Sequence, residues 1–394
     1  MAYRRLNNLL EKMFLLGGSD LHIKTNSLPK ARIHGDIQVL DNSQLNDDFF
    51  ESILNILLNQ KQRLVLEEEK EFDGYYVSEQ GRRFRFNVFF HLEGYGLVFR
   101  TIPDRILSIK ELGLHESVYK FVNLERGLVL VTGTTGSGKS TTLAAIIDSI
   151  NQKKRKHIIT IEDPIEFIHH DRNSIIEQRN VGEHTQSFYS ALKASLREDP
   201  DIILVGELRD LATIEAALHA ANSGHLVFAT LHTLDAKETI NRIISMYPTN
   251  EQNRIRVTLA SVLKGALSQR LIKKIGGGRC AAMEILVMNE RIKQLILEQR
   301  DNEITDAINE GDAYGMQTFD QALFKLYREK FATFEEVLSA STSPDDLKLI
   351  ISNSGLLQER KEVIRIKNFD SVTLPYKQKE QSQIKEKLTI KRRR

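Results

Sequence analysis

The sequence predicts an α/β protein in which a small α+β domain precedes a larger domain built on a parallel sheet. From Gly127 onward, wholly apolar runs alternate with stretches of helical periodicity, the pattern of parallel strands covered on both faces. Before about residue 104 the pattern differs: short strands bounded by glycine turns follow a helix. A length of 394 residues leaves room for about two to three domains.

In the first part, Leu6, Leu9, Leu10, Met13 and Phe14 recur at helical spacing and predict a helix over 6–16, stopped by Gly17 and Gly18. Strands are expected at 21–25 and 31–33, a helix at 47–58, and strands at 72–77, 82–91 and 96–100. This gives a domain over 1–103 and a linker over 104–113. In the second part, over 114–353, apolar strands are expected at 128–132, 157–161, 201–205 and 226–231. Helices at 140–150, 188–197 and 211–221 separate them. After Gly276, Gly277 and Gly278 one more strand, 281–287, leads into helices, one striped by Met316, Phe319, Leu323 and Leu326. Beyond 354 the periodicity fades and a disordered tail is expected.

Composition excludes several classes. Apolar residues are 41% and charged residues 27%, enough for a packed core. No apolar run approaches the ~18–20 residues of a membrane helix. The start lacks an apolar h-region, so no secretory signal is expected. One cysteine, Cys280, excludes an internal disulfide. These features fit a cytoplasmic protein. Net charge is +2, and residues 376–394 hold eight Lys/Arg against two Glu, so the basic character sits in the tail. A nucleic-acid surface is not expected.

Chemistry enters at Gly133, Thr134, Thr135, Gly136, Ser137, Gly138, Lys139 and Ser140, which match G-x-x-x-x-G-K-[ST] between a strand and a helix that continues through Thr141. Glycines let backbone N–H groups approach phosphates, and the helix N-terminus adds partial positive charge. Lys139 can neutralise β/γ-phosphate oxygens, and the Ser140 hydroxyl can ligate Mg²⁺. The apolar strand ending in Glu207 has the form of a second metal-facing acid. Glu162, Asp163 and Glu166 end another strand and are the candidates for orienting a water. His225 opens a strand and His232 follows its end, where γ-phosphate could be sensed. Arg83, Arg85 and Arg100 lie on strands of the first domain, either as surface charges or as fingers for a neighbour's nucleotide.

Together these motifs resemble the type IV pilus retraction ATPases (PilT-like) of the type II/IV secretion ATPase superfamily. The matching pieces are S-D-L-H-I at 19–23, V-F-R-T-I-P at 98–103 and R-G-L-V-L-V-T-G at 126–133. I-T-I-E-D-P-I-E-F at 159–167, L-R-E-D-P-D-I-I-L-V-G-E at 196–207 and G-H-L-V-F at 224–228 follow. L-I-K-K-I-G-G-G-R at 271–279 and G-M-Q-T-F at 315–319 complete the set.

The resemblance implies a PAS-like α+β domain, a RecA-like P-loop domain with a helical C-terminal region, and a homohexamer with ATP and Mg²⁺ at subunit boundaries. By position Lys139 and Ser140 are the Walker A residues and Glu207 the Walker B acid. Asp163 and Glu166 form an acidic box, Glu166 being the expected catalytic base. His225 and His232 form a histidine box, and Arg83 and Arg100 are directed at nucleotide. The implied partners are an inner-membrane pilus platform protein and a paralogous pilus ATPase, at the inner face of the inner membrane with peripheral association only. One stretch departs from the family's A-I-R-N-L-I-R-E-x-K. Residues 291–300 keep Ile292, Leu295, Ile296 and Glu298 but lack both arginines, with Lys293 a partial stand-in. This leaves room for a second reading, an accessory subunit that binds ATP with little turnover. A third, an extension or type II secretion ATPase, typically adds an N-terminal domain and a four-cysteine module, which the single Cys280 speaks against.

Overall fold

The structure, a computed structural model, describes residues 1–102 and 105–355. The expected tail and part of the expected linker lie outside the described residues.

The first sheet is antiparallel. Helix α1 (Ala2–Leu15) buries Leu6, Leu9, Leu10 and Met13, the stripe its spacing predicts. Strands β1 (Gly18–Lys24), β2 (Lys30–Ile33) and β3 (Asp36–Val39) follow. Helix α2 (Asp47–Leu57) is capped by the Asn46 side chain, and α3 (Gln60–Glu69) by a reciprocal Asn59–Gln62 box. Strands β4 (Glu71–Val77), β5 (Arg83–His91) and β6 (Gly94–Thr101) complete the order β3-β2-β1-β6-β5-β4. Phe50, Phe84, Phe86 and Phe99 fill the core beneath it.

The second part begins with α4 (Val118–Val122), β7 (Gly127–Thr132), α5 (Lys139–Lys153), β8 (His157–Glu162) and β9 (Ile175–Asn180). It continues with α6 (Phe188–Ser195), β10 (Ile202–Val205), α7 (Leu211–Asn222), β11 (Leu226–Leu231), α8 (Ala236–Ser245) and α9 (Gln252–Val262). Strands β12 (Leu263–Lys273) and β13 (Arg279–Val287) form a hairpin. Helices α10 (Glu290–Leu297), α11 (Ile304–Asn309), α12 (Phe319–Arg328), α13 (Phe334–Ala340) and α14 (Pro344–Asn353) end the described chain.

The second sheet runs β13-β12-β7-β11-β10-β8-β9, parallel except for β13. Its double covering is visible residue by residue. Leu128 and Leu130 join one core cluster, while Val129 and Val131 join the other. Both clusters are apolar, so β7 reads as an unbroken hydrophobic run. Ile109, within the stretch expected to be a linker, is buried in the second of these cores.

Three strands differ from the sequence reading. One strand was expected after Gly276, but the glycines form the turn of a hairpin whose first arm, β12, carries Ser268 and Gln269 buried. Strand β9 has only Asn180 buried because it closes the sheet, and β3 is exposed throughout. Polar edge strands lack the apolar signal that marks central ones.

Candidate functional site

The site forms where four neighbouring parallel strands end. β7 leads through residues 133–138 into α5, β8 ends at Glu162, β10 ends just before Glu207, and β11 ends just before His232. Ligands bind at such C-terminal strand ends because loops and helix N-termini converge there. A cavity of about 560 Å³ is lined by Lys139, Ser140, Thr141, Asp163, Glu166, Glu207 and His232, together with Thr135, Gly136 and Gly138.

The loop backbone has room only because two positions lack a Cβ. At Gly133 a Cβ would lie 2.4 Å from the Gln269 carbonyl oxygen, and φ is +138°. At Gly138 a Cβ would lie 2.7 Å from Gln269 Nε2. Gln269 therefore walls the loop from β12. Its Nε2 donates to Ser137 O at 2.8 Å, and its Oε1 accepts from Thr142 Oγ1 at 2.7 Å. Ser137 Oγ is buried without a hydrogen-bond partner. An orphaned hydroxyl in a loop that opens onto a helix N-terminus suits an anionic group such as a phosphate.

Lys139 Nζ donates to Gly133 O at 2.7 Å and Thr134 O at 3.1 Å. Burial lowers its pKa, opposed by the charges of Glu207 and Glu166. Across the cavity, Arg209 Nε donates to Glu207 Oε2 at 2.7 Å, and its Nη1 donates to Asp163 Oδ2 at 3.3 Å. His232 Nε2 lies 3.4 Å from Glu207 Oε1. Glu207 thus meets a guanidinium on one oxygen and an imidazole on the other. Burial raises the Glu162 pKa, although its carboxylate accepts hydrogen bonds from Thr160 Oγ1 at 2.6 Å and Gln178 Nε2 at 3.2 Å. His169 also lines the cavity, and burial pushes its imidazole down to about 4, so it stays neutral. A Ser140 hydroxyl and a Glu207 carboxylate, both hard oxygen donors, fit Mg²⁺.

The first sheet reaches this cavity through Arg85, not through the other two arginines. Arg85 lines it and pairs with Asp73 at 3.2 Å. Strand register sets Arg32, Asp20, Arg100, Arg85 and Tyr75 side by side across five strands, on one face. Arg100 Nε is held by Asp20 Oδ1 at 2.7 Å, and its side chain is 70% exposed. Arg83 is exposed at the start of β5. Neither Arg100 nor Arg83 lines the cavity within this chain.

His225 is also separate. It precedes β11, whereas His232 follows it, and seven residue steps of ~3.3 Å each set the two about 23 Å apart. Its Nδ1 lies 3.0 Å from Ala220 O. The pairing of the two histidines as one box is therefore not a contact at this site.

The sequence reading had not singled out Gln269, Arg209, Arg279, His169 or Gln178. Arg209 had a signal, a cation two residues beyond the strand-end acid. Gln269 had none, because its partners are 127 and 132 residues away.

No helix of the described residues is long and apolar enough to cross a membrane. The chain matches the family described as type II/IV secretion system protein over residues 3–339. It is 44% identical over 330 residues to a Pseudomonas aeruginosa protein named as the type IV pilus retraction ATPase PilT, covering 84% of this chain and 96% of that one. Identity to a Neisseria gonorrhoeae protein named as a twitching motility protein is also 44%, over 302 residues, covering 76% and 81% of the two chains. A crystal structure of the pilus retraction motor PilT with bound ADP aligns with a TM-score of 0.82 and 43% identity, covering 87% of this chain and 98% of that one. The strand order, the cavity at the strand ends and these similarities agree with the expected RecA-like α/β fold, and the chain belongs to the type II/IV secretion system protein family as a PilT-like ATPase.

Proposed function

We propose that this chain is an ATP-hydrolysing motor that powers type IV pilus retraction, working as a homohexameric ring against an inner-membrane platform protein. One observation carries the reading: Lys139, Ser140, Glu166, Glu207 and His232 share one cavity, in a chain similar over 84% of its length to a protein named as a pilus retraction ATPase.

The residues divide the work. Backbone N–H groups of residues 133–141 and the α5 N-terminus hold the phosphates. Lys139 exchanges the Gly133 and Thr134 carbonyls for β/γ-phosphate oxygens. Mg²⁺, held by Ser140 and Glu207, would supply charge neutralisation on those oxygens. Glu166 orients the attacking water and takes its proton. Asp163, through Arg209, and His232 set the position of Glu207. Arg100 and Arg83 of one subunit are offered to the nucleotide of the next, where Arg–phosphate pairing stabilises charge in the transition state. His225 has no role in this scheme.

Loss of the γ-phosphate releases contacts between the two sheets and lets them rotate, a hinge motion passed to the platform protein. The first sheet serves as a PAS-like domain. The scheme places the motor at the inner face of the inner membrane without spanning it, alongside a paralogous pilus ATPase and without nucleic acid.

The test is steady-state ATP hydrolysis by the purified chain, wild type beside Glu166→Ala. Mg²⁺-dependent turnover that the substitution removes supports the motor. Turnover that survives the substitution rules out Glu166 as the base. A wild type that binds ATP as a hexamer yet does not turn it over is an accessory subunit instead.

A further inference from the structure

The loop that carries Glu166 is held by side chains, not by a strand. After β8 the backbone is pinned at every second residue by two side chains of β9. Ile165 N donates to Asn180 Oδ1 at 3.1 Å. Gln178 Nε2 donates to Phe167 O at 2.9 Å, and His169 N donates to Gln178 Oε1 at 2.8 Å. Gln178 and Asn180 are two residues apart on one strand, so they face the same way. Glu166 sits between the first two anchors.

The upper anchor has a second partner from the other sheet. Tyr75, on β4, donates its hydroxyl to the same Asn180 Oδ1 at 3.1 Å. Burial raises the Tyr75 pKa, so the phenol remains a donor. Asn180 cannot easily turn away. It is 8% exposed, its Nδ2 donates to Val181 O at 3.1 Å, and its backbone N donates to His184 Nδ1 at 2.9 Å. Tyr75 also ends the cross-strand row that contains Arg85 and Arg100. A shift of the first sheet therefore pulls on the oxygen that fixes the residue before Glu166.

We propose that Tyr75 and Asn180 form a positioning relay that transmits the placement of the N-terminal sheet to Glu166. The inference rests on the assignment of Glu166 as the group that orients water. Neither relay residue lines the phosphate cavity; they act by holding the Glu166 loop in register, and a misplacement near 1 Å is enough to slow chemistry. The relay makes hydrolysis depend on how the two domains sit, so that turnover is fastest in one arrangement of the ring.

The experiment measures kcat and nucleotide affinity of the full chain as wild type, Tyr75→Phe, Asn180→Ala, the double variant, Tyr76→Phe and Glu166→Gln. Tyr76 is next in the strand but faces the opposite way, with its hydroxyl accepting from Asn7 at 2.8 Å. The relay predicts that Tyr75→Phe lowers kcat by about three- to tenfold with nucleotide affinity unchanged within about twofold. The double variant is then no slower than Asn180→Ala alone, and Tyr76→Phe keeps wild-type kcat. Wild-type kcat in Tyr75→Phe overturns the relay, whether or not Asn180→Ala folds. Multiplicative losses in the double variant, or an equal loss in Tyr76→Phe, overturn it as well. If Glu166→Gln itself keeps full turnover, the base assignment fails and the relay fails with it. If Glu166→Gln is dead while Tyr75→Phe is normal, only the relay fails.

Discussion

Gln269 Nε2 donates to the Ser137 carbonyl at 2.8 Å, tying the phosphate loop to a strand more than a hundred residues later. The same amide accepts from Thr142 Oγ1 on α5. Gln269→Leu leaves a carbonyl and a hydroxyl buried without partners, at about 1–3 kcal/mol for each. The expected outcome is a lower unfolding midpoint together with nucleotide affinity weakened by about tenfold. Urea unfolding and a nucleotide titration check both. Weaker stability with unchanged affinity would mean that Gln269 packs the core without shaping the loop.

Gly133→Ala meets two obstacles at once, a φ of +138° and a Cβ 2.4 Å from the Gln269 carbonyl oxygen. Backbone cannot yield as a flexible side chain can. Nucleotide binding should be lost, with stability reduced by about 1–3 kcal/mol. Gly182→Ala is the comparison, since a Cβ there meets nothing within 4 Å although φ is +86°. That variant should bind nucleotide normally.

Glu284 predicts a pH dependence away from the cavity. Its Oε1 accepts from Ala236 N at 2.8 Å, and burial lifts its carboxyl to about 7, with Asp235 and Asp320 adding to the effect and Arg270 opposing it. The unfolded chain releases this proton near 4.5. Between those values the folded state holds more protons, so stability falls as pH rises through the window. Glu284→Gln keeps the acceptor without the ionisation. It should flatten that slope and gain about 1–3 kcal/mol over wild type at pH 8. Unfolding curves at pH 5 and pH 8 decide it.

Arg256 makes a two-pronged pair with Asp301, at 2.8 and 2.7 Å, and donates to Ile296 O at 3.0 Å. Both side chains are nearly enclosed, at 11% and 12% exposure. Arg256→Ala strands the carboxylate and should cost about 3–5 kcal/mol. Adding Asp301→Leu should restore most of the loss, because the stranded charge is then gone. Thermal unfolding of the two variants separates this from lost packing alone.

What could be read from the sequence depended on whether the chemistry was local. The phosphate loop is eight consecutive residues, so its glycines, Lys139 and Ser140 were readable in place. Leu128–Thr132 was readable because burial on both faces leaves no polar interruption. Gln178 and Asn180 carry no sequence signal, since β9 is an edge strand with one neighbour among the described residues and shows mostly polar side chains. Arg85 and Arg100 are visible in the sequence and share one cross-strand row, but Arg85, on β5, lines the cavity and Arg100, one strand further on β6, does not. The 291–300 stretch shows the same division. Its retained Ile292, Leu295 and Ile296 are the buried face of α10, whereas Lys293 is half-buried and paired with Glu290 at 3.5 Å. Core packing explains the three apolar residues the stretch keeps; it explains neither Glu298, which is exposed, nor the arginines it lacks.

The position of β7 has a consequence for synthesis. The first strand of the second sheet is flanked by β11 and β12, the fifth and sixth strands to be made, and not by β8. Until residues 263–269 have emerged from the ribosome, one side of β7 has no neighbour and the phosphate loop lacks its Gln269 wall. Pairing across such long separations is slow compared with local helix formation. A nascent chain thus carries every residue of the G-x-x-x-x-G-K-S motif well before the strand that walls its loop has been made.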